Sequence, residues 1–410
     1  MRIPLIPIIL LIIFSILADL YILKDLHDYC KSRYRKAIQW CYGISSVLLW
    51  AFLIVVICLP RGNAEDSILP LMWMIFSYLS VYLPKFIYVI CSLVGRLFPK
   101  RKGNRLNYGA MTGIVIGIIA FVSMWWGVLY TRHQVEVNRV EIASAKLPSS
   151  FEGFKVVQFS DTHLGTWGND TAFIAKMVDS INAQKPDLVL FTGDWVNRKA
   201  SEMKPFVSVL SRIKAKYGKY GVYGNHDYGG YVNWENQKDY KQNLVDRDSL
   251  SEAAGFQMLL NETAFIRNGN DSIVLIGVHN WGEPPFRGLG DLGKSYPDQQ
   301  DHLRGLNDGM YKILMTHNPM HWSEVATKIS NIDFTMSGHT HAMQIMAKFG
   351  KFQWSPASFR YPDWGGLYTT VAKDGTPMNL YVNIGAGEVG FPARLWSAYP
   401  EITVFTLRKK

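Results

Sequence analysis

Four apolar stretches, each close to the length of a membrane-spanning helix, occupy the first third of the chain, at about 3–23, 38–59, 69–93 and 109–131. A bilayer interior offers no partner to a bare backbone N–H or C=O, so ~20 apolar residues that enter it must be helical. The stretches predict an all-α transmembrane region of four helices over residues 1–132. The first stretch is long, lacks a small-residue cleavage site and precedes three more, so it reads as an anchor rather than a signal peptide. Pro84 and Lys85 interrupt the third stretch. The lysine reads as snorkelling or packed inside the bundle rather than as a functional charge. Gly109, Gly113 and Gly117 recur every four residues in the fourth and read as an internal close-packing stripe.

Charge orients these spans. Lys24, Lys31, Arg33, Arg35 and Lys36 follow the first, and Arg96, Lys100, Arg101, Lys102 and Arg105 follow the third. Between the second and third stand only Arg61, Glu65 and Asp66. Positive loops stay in the cytoplasm. The expectation is a multi-pass protein of a bacterial cytoplasmic membrane with residues beyond 132 extracytoplasmic. Residues 1–132 hold 14 Lys and Arg against 5 Asp and Glu, and residues 133–410 hold 29 against 28. The net charge of +10 therefore follows topology and gives no reason to expect a nucleic-acid partner. All four cysteines, Cys30, Cys41, Cys58 and Cys91, lie in the membrane part, which leaves no thiol beyond it as nucleophile or metal ligand.

Residues 133–149 read as a linker, and 150–410 are enough for one domain with its own core. Short apolar runs at 154–159, 188–191, 220–223, 313–315 and 334–336 read as buried strands, with late strands at 380–384 and 402–407. Helical spacing marks 170–184, with Asp170 as candidate N-cap, then 205–216 and 321–329. Strands alternating with helices predict an α/β class.

Most of these runs stop at metal-binding residue types: Asp161-Thr162-His163, Gly193-Asp194, Gly224-Asn225-His226-Asp227, His317-Asn318 and Gly338-His339-Thr340-His341. Carboxylate, amide and imidazole ligands suit divalent metals such as Mn, Fe or Zn. Asp161, His163, Asp194, Asn225, His317, His339 and His341 are too many for one ion, and a carboxylate such as Asp194 can bridge two. Two ions ~3.5–4 Å apart can clamp both oxygens of an in-line displacement and hold a bridging hydroxide as the nucleophile at neutral pH.

The five blocks, in this order, resemble the calcineurin-like metallophosphoesterase superfamily, and within it the membrane-associated bacterial branch. The resemblance implies a four-layer α/β/β/α sandwich over 150–410. It implies one metal on Asp161, His163 and His341, a second on Asn225, His317 and His339, and Asp194 as the bridge. His226 would face the leaving group as the catalytic acid and Asp227 would orient it. The expected protein is a membrane-anchored phosphoesterase using two divalent ions. It would act on a phosphodiester or pyrophosphate rather than a monoester, in a lipid-linked or cell-envelope substrate, with the bilayer as its other partner. The rival is a non-catalytic membrane sensor or scaffold that binds a phosphate ligand, and the intact His226 and Asp227 argue against it. The branch carries Gly-His-Thr-His-Gly-Gly-Gln, whereas this chain has Ala342 and Met343 at the two later glycines. Arg394 is a candidate phosphate contact. Polar inserts at 228–248 and 281–308 should border the metal edge. His279, His302 and His321 read as core histidines.

Overall fold

The computed structural model describes residues 5–30, 32–59, 68–98, 107–282, 288–296, 306, 308–350 and 352–410. Lys31, Arg61, Glu65, Asp66, Lys100, Arg101, Lys102, Arg105, His302 and most of the 281–308 insert lie outside the described residues. The chain divides into a helical unit that runs to Val128 and a mixed unit from Leu129 to Lys410.

The helical unit contains α1 (Leu5–Tyr29), α2 (Arg35–Cys58), α3 (Leu69–Leu97) and α4 (Tyr108–Leu129). Among the described residues, three helices are long and apolar enough to cross a membrane: α2, α3 and α4 with its continuation to His133. The stretch expected as the first span is the 25-residue α1. Its Asp19 is fully buried and accepts from Lys85 Nζ at 2.8 Å, Tyr82 Oη at 2.7 Å and Trp50 Nε1 at 2.9 Å. Asp25 pairs with Arg96 and accepts from Tyr88 Oη at 2.8 Å. Lys85 is thus inside the bundle with a carboxylate partner, which is how an ionised group is tolerated there. A Cβ on Gly113 would stand 2.9 Å from Tyr88 Cα, and one on Gly117 3.2 Å from Pro84 O. The stripe therefore packs α4 on α3.

The second unit has strands β1 (Glu136–Ser144), β2 (Lys155–Phe159), β3 (Leu188–Phe191), β4 (Lys219–Gly221), β5 (Gln257–Met258), β6 (Glu262–Asn268), β7 (Asp271–Gly277), β8 (Lys312–Met315), β9 (Phe334–Ser337), β10 (Ile345–Phe349), β11 (Phe352–Trp354), β12 (Gly366–Val371), β13 (Pro377–Val382), β14 (Leu395–Trp396) and β15 (Glu401–Lys409). Its α-helices among the described residues are α5 (Ala172–Ala183), α6 (Val207–Leu210), α7 (Gln237–Ala253) and α8 (Thr327–Ile329), the last continuing the π-helical turn Trp322–Ala326 where a helix was expected at 321–329. One six-stranded sheet runs β1-β15-β2-β3-β4-β5, the other β12-β13-β9-β8-β7-β6, and a small sheet runs β11-β10-β14.

Alternation along the strands builds four layers. Val156, Leu188 and Leu190 face inward and pack with Ile313, Met315, Phe334 and Met336 of the second sheet. Val157, Phe159, Val189 and Phe191 point the other way, onto Phe173, Ile174 and Met177 of α5. On the far side, Val274, Ile276 and Leu314 pack against Trp322 and Ala326. A strand covered on both faces has no polar side, which is why these runs are continuously apolar. The four-layer α/β/β/α arrangement expected from the resemblance is the one found.

Three local expectations need correction. The segment expected as a linker contains β1, paired in parallel with β15 over nine residues, Glu136–Ser144 against Glu401–Lys409. Its charged residues Glu136, Arg139 and Glu141 hide it from an apolar search but suit an edge strand. The insert at 228–248 holds most of α7, capped by Asn236, whose side chain accepts from Asp239 N. With few apolar residues, α7 shows no stripe to read. The helix expected at 205–216 is a 3-10 turn (Ala200–Phe206) followed by only four α-helical residues.

Candidate metal centre

Five strand ends supply the predicted ligands. Asp161 and His163 follow β2, Asp194 follows β3, Asn225 and His226 follow β4, His317 follows β8, and His339 and His341 follow β9. Gln158 ties the tips of the two sheets together, donating through Nε2 to Thr192 Oγ1 at 2.9 Å and Ser337 O at 2.8 Å. The ligands therefore meet where both sheets end, on supports that cannot drift apart independently.

The close packing there excludes side chains at the motif glycines. A Cβ on Gly224 would fall 2.2 Å from Asp194 Oδ1, and one on Gly338 2.3 Å from Asp161 Oδ2. Asp161, His163, Asp194, His339 and His341 themselves adopt positive φ, between 40° and 77°. Left-handed backbone costs a non-glycine residue roughly 1–2 kcal/mol, and clusters of it mark functional sites.

All seven expected ligands converge. His341 Nε2 lies 3.2 Å from Asp161 Oδ1 and 3.0 Å from His163 Nε2. His317 Nε2 lies 3.1 Å from Asp194 Oδ2, 3.2 Å from Asn225 Oδ1 and 3.1 Å from His339 Nδ1. Asp194 Oδ2 is also 3.6 Å from His163 Nε2, between the two clusters. Among the described residues three groups, Asp161-His163-His341, Asp194-His317-His339 and His163-Asp194-His226, each present ligand atoms within 4.8 Å of one another. Ligands bound at about 2.1 Å to one ion stand about 3 Å apart, so these spacings fit divalent metals. His317 Nδ1 meets the Thr192 carbonyl at 2.8 Å, which places the proton on Nδ1 and leaves Nε2 as the ligand atom.

Electrostatics agree with that donor set at Asp161, Asp194, His163 and His339. Burial opposes charge on Asp161 and Asp194, but the neighbouring histidines His341 and His317 overcome it and hold both carboxyls below the usual range. Burial lowers His163 well below its ordinary value and pushes His339 down to about 3, leaving neutral imidazoles able to coordinate. His317 moves the other way, to about 9, because Asp194 outweighs its burial.

His226 stands beside the centre, its ring centroid 4.7 Å from that of His163. Its Nδ1 meets the Asn197 carbonyl at 2.6 Å, so Nδ1 carries a proton and Nε2 is the nitrogen left for chemistry. The expected orienting partner, Asp227, is elsewhere. Its carboxylate accepts from the backbone N–H of Asp194, Trp195 and Gly224 at 2.8, 2.8 and 2.9 Å. It braces the loop that carries Asp194, while Asn197 orients His226. Arg394 is also corrected. It is fully buried and donates to the carbonyls of Gly387, Ile384 and Ala398, so its fork binds a loop rather than a phosphate. That loop abuts the site, since a Cβ on Gly385 would lie 2.7 Å from Asp161 Cβ.

Two tyrosines at the site carry no motif signal. Tyr231 stacks on His226 at 4.3 Å and accepts from Asn225 Nδ2 at 2.8 Å. Tyr361 Oη lies 2.9 Å from His339 Nε2. Tyr231 belongs to the polar insert expected at the metal edge, and Tyr361 had no marker. Ala342 and Met343 take φ of 51° and 47°, left-handed positions that glycine would occupy without strain. His279 meets Tyr228 Oη at 2.8 Å, and His321 meets Thr316 Oγ1 at 3.0 Å, so both have packing partners outside the cluster.

Fold and donor set together define a metallophosphoesterase with an N-terminal membrane region. Residues 154–343 match the family described as "Calcineurin-like phosphoesterase", and residues 1–132 match "Probable Calcineurin-like phosphoesterase, transmembrane domain". The chain is 33% identical over 280 residues to the metallophosphoesterase YkuE of Bacillus subtilis, covering 67% of this chain and 86% of that one. A zebrafish (Danio rerio) transmembrane protein with metallophosphoesterase domain is 28% identical over 350 residues, covering 82% of this chain and 73% of its own. The UDP-2,3-diacylglucosamine pyrophosphatase LpxG of Chlamydia muridarum is 24% identical over 278 residues, covering 60% of this chain and 80% of that one. The chain belongs to the calcineurin-like phosphoesterase family.

Proposed function

We propose that the chain is a membrane-held phosphoesterase that cleaves a phosphodiester or pyrophosphate bond with two divalent ions, in a lipid-linked or envelope substrate. The supporting observation is Asp194, whose Oδ2 lies 3.1 Å from His317 and 3.6 Å from His163, one residue from each cluster. Bound ions would neutralise phosphoryl charge and activate water at neutral pH. Asp161, His163 and His341 would hold one, Asn225, His317 and His339 the other, with Asp194 between.

The remaining chemistry belongs to the protein. His226 offers Nε2 to the leaving oxygen while Asn197 holds the ring. Tyr231 keeps that ring from rotating by stacking on it. An acid beside the ions suits a leaving alkoxide or phosphate, as a diester or pyrophosphate would supply and a monoester equally. The lipid-linked part leans on the membrane region and on the distant likeness to a pyrophosphatase whose substrate bears acyl chains. Under the positive-inside rule the phosphoesterase unit faces away from the cytoplasm, which favours envelope lipids over nucleotide-linked ones.

Turnover of a bis-aryl phosphodiester and of an aryl monoester, with ion content measured in parallel, tests this reading. His226→Ala should keep both ions and lose 10²- to 10⁴-fold in diester turnover, the usual worth of a placed acid. Full activity in that variant, or an ion-free protein in Mn²⁺, would refute it.

A further inference from the structure

The small sheet beside the metal centre presents aromatic side chains to solvent. In the antiparallel β10–β11 pair, Phe349 faces Phe352 and Ala347 faces Trp354. Side chains alternate along a strand, so these four share one side of the hairpin. Phe349 is 75% exposed, Phe352 62% and Trp354 37%. Phe359, 84% exposed, extends the patch, its ring 6.3 Å from that of Trp354. Within 349–359, four large aromatics are thus turned outward, far from the scattered single apolar residues of an ordinary surface. Met346, on the opposite side of β10, is buried.

We propose that this aromatic face is a contact with the lipid bilayer at its headgroup level, next to the metal centre. Three observations favour lipid over a protein partner. The chain already carries membrane-spanning helices, and β1 begins at Glu136 soon after α4 ends at Leu129, so a bilayer is always within reach. Aromatic rings with a basic neighbour are the composition of the membrane interface, and exposed Arg360 directly follows Phe359. The patch is also continuous with the site: Ser355 Oγ donates to Ala342 O, and Tyr361, two residues after Phe359, meets His339. A substrate whose tail lies in the membrane would find its phosphate near the ions without leaving the lipid phase.

The test uses the full chain, with Cys30, Cys41, Cys58 and Cys91 changed to alanine. A fluorophore is attached at Phe352→Cys, and separately at Phe359→Cys in case one variant folds poorly. The protein is placed in phosphatidylethanolamine–phosphatidylglycerol nanodiscs with or without nitroxide-bearing acyl chains. Val245→Cys, on exposed α7, is the reference. Quenching by the lipid nitroxide at least twofold stronger at 352 or 359 than at 245 is expected. Equal quenching at all three would overturn the proposal. So would disulfide crosslinking of the Phe352→Cys variant between copies without lipid quenching, which would assign the face to a second chain. The readout needs no turnover, so it stands or falls independently of the phosphoesterase reading.

Discussion

His321 is fully buried, stacked on Trp281 at 5.5 Å, and burial pushes it down to about 4. In the unfolded chain it titrates near 6.5. Between those values the unfolded state binds the extra proton, so stability rises with pH and is lost as pH falls from 6.5 towards 4. From pH 7 to pH 5.5 the loss should be about 1 kcal/mol, seen by denaturant unfolding of the α/β unit, and His321→Gln should remove that share of the pH dependence. An unchanged slope in the variant would show that other groups carry it. The residues that sequence made visible were those whose chemistry is specific: carboxylates and imidazoles at strand ends. What stayed hidden works through the backbone. Asn197 orients His226 with a carbonyl that any residue possesses, and Asp227 braces four N–H groups rather than the imidazole beside it in sequence.

At the scale of elements, the strand-end loops carry the tightest geometry. Gly224→Ala would place a methyl 2.2 Å from Asp194 Oδ1 and 2.6 Å from His317 Cε1. Both ligands must shift, so ion content should fall and turnover with it by at least ~10²-fold, a misplacement of about 1 Å being enough; ion content equal to wild type would show that the loop yields instead. Met343→Gly should act in the opposite direction. Met343 is 47% exposed at φ 47°, so removing its side chain relieves left-handed strain and sacrifices little packing. A net gain of ~0.5–1 kcal/mol after the cost of glycine's freedom would raise the melting temperature by about 2 °C. A lower melting temperature would mean the methionine makes a contact worth more than the strain. The inner strands were legible because both faces are buried. The edge strand β1 and the polar helix α7 were not, since each exposes charge on the face that a periodicity search uses.

For the molecule as a whole, the seven converging ligands make ions part of the stability of the α/β unit. At a hundredfold excess over Kd each bound ion contributes ~2.7 kcal/mol, so chelation of two should lower the unfolding temperature of that unit by roughly 10–20 °C and leave the helical unit's transition in place. Coincident shifts of both transitions, or none, would contradict this. The order β1-β15-β2 has one more consequence. Residues 401–409 are wedged between two strands made more than 240 residues earlier. During synthesis β2, β3, β4 and β5 can pair as they emerge, but β1 has no partner in the first sheet until residues 401–409 follow. Such a long-range closure is slow, so the strand that follows the membrane helices most directly is the one that waits longest for its place in the sheet.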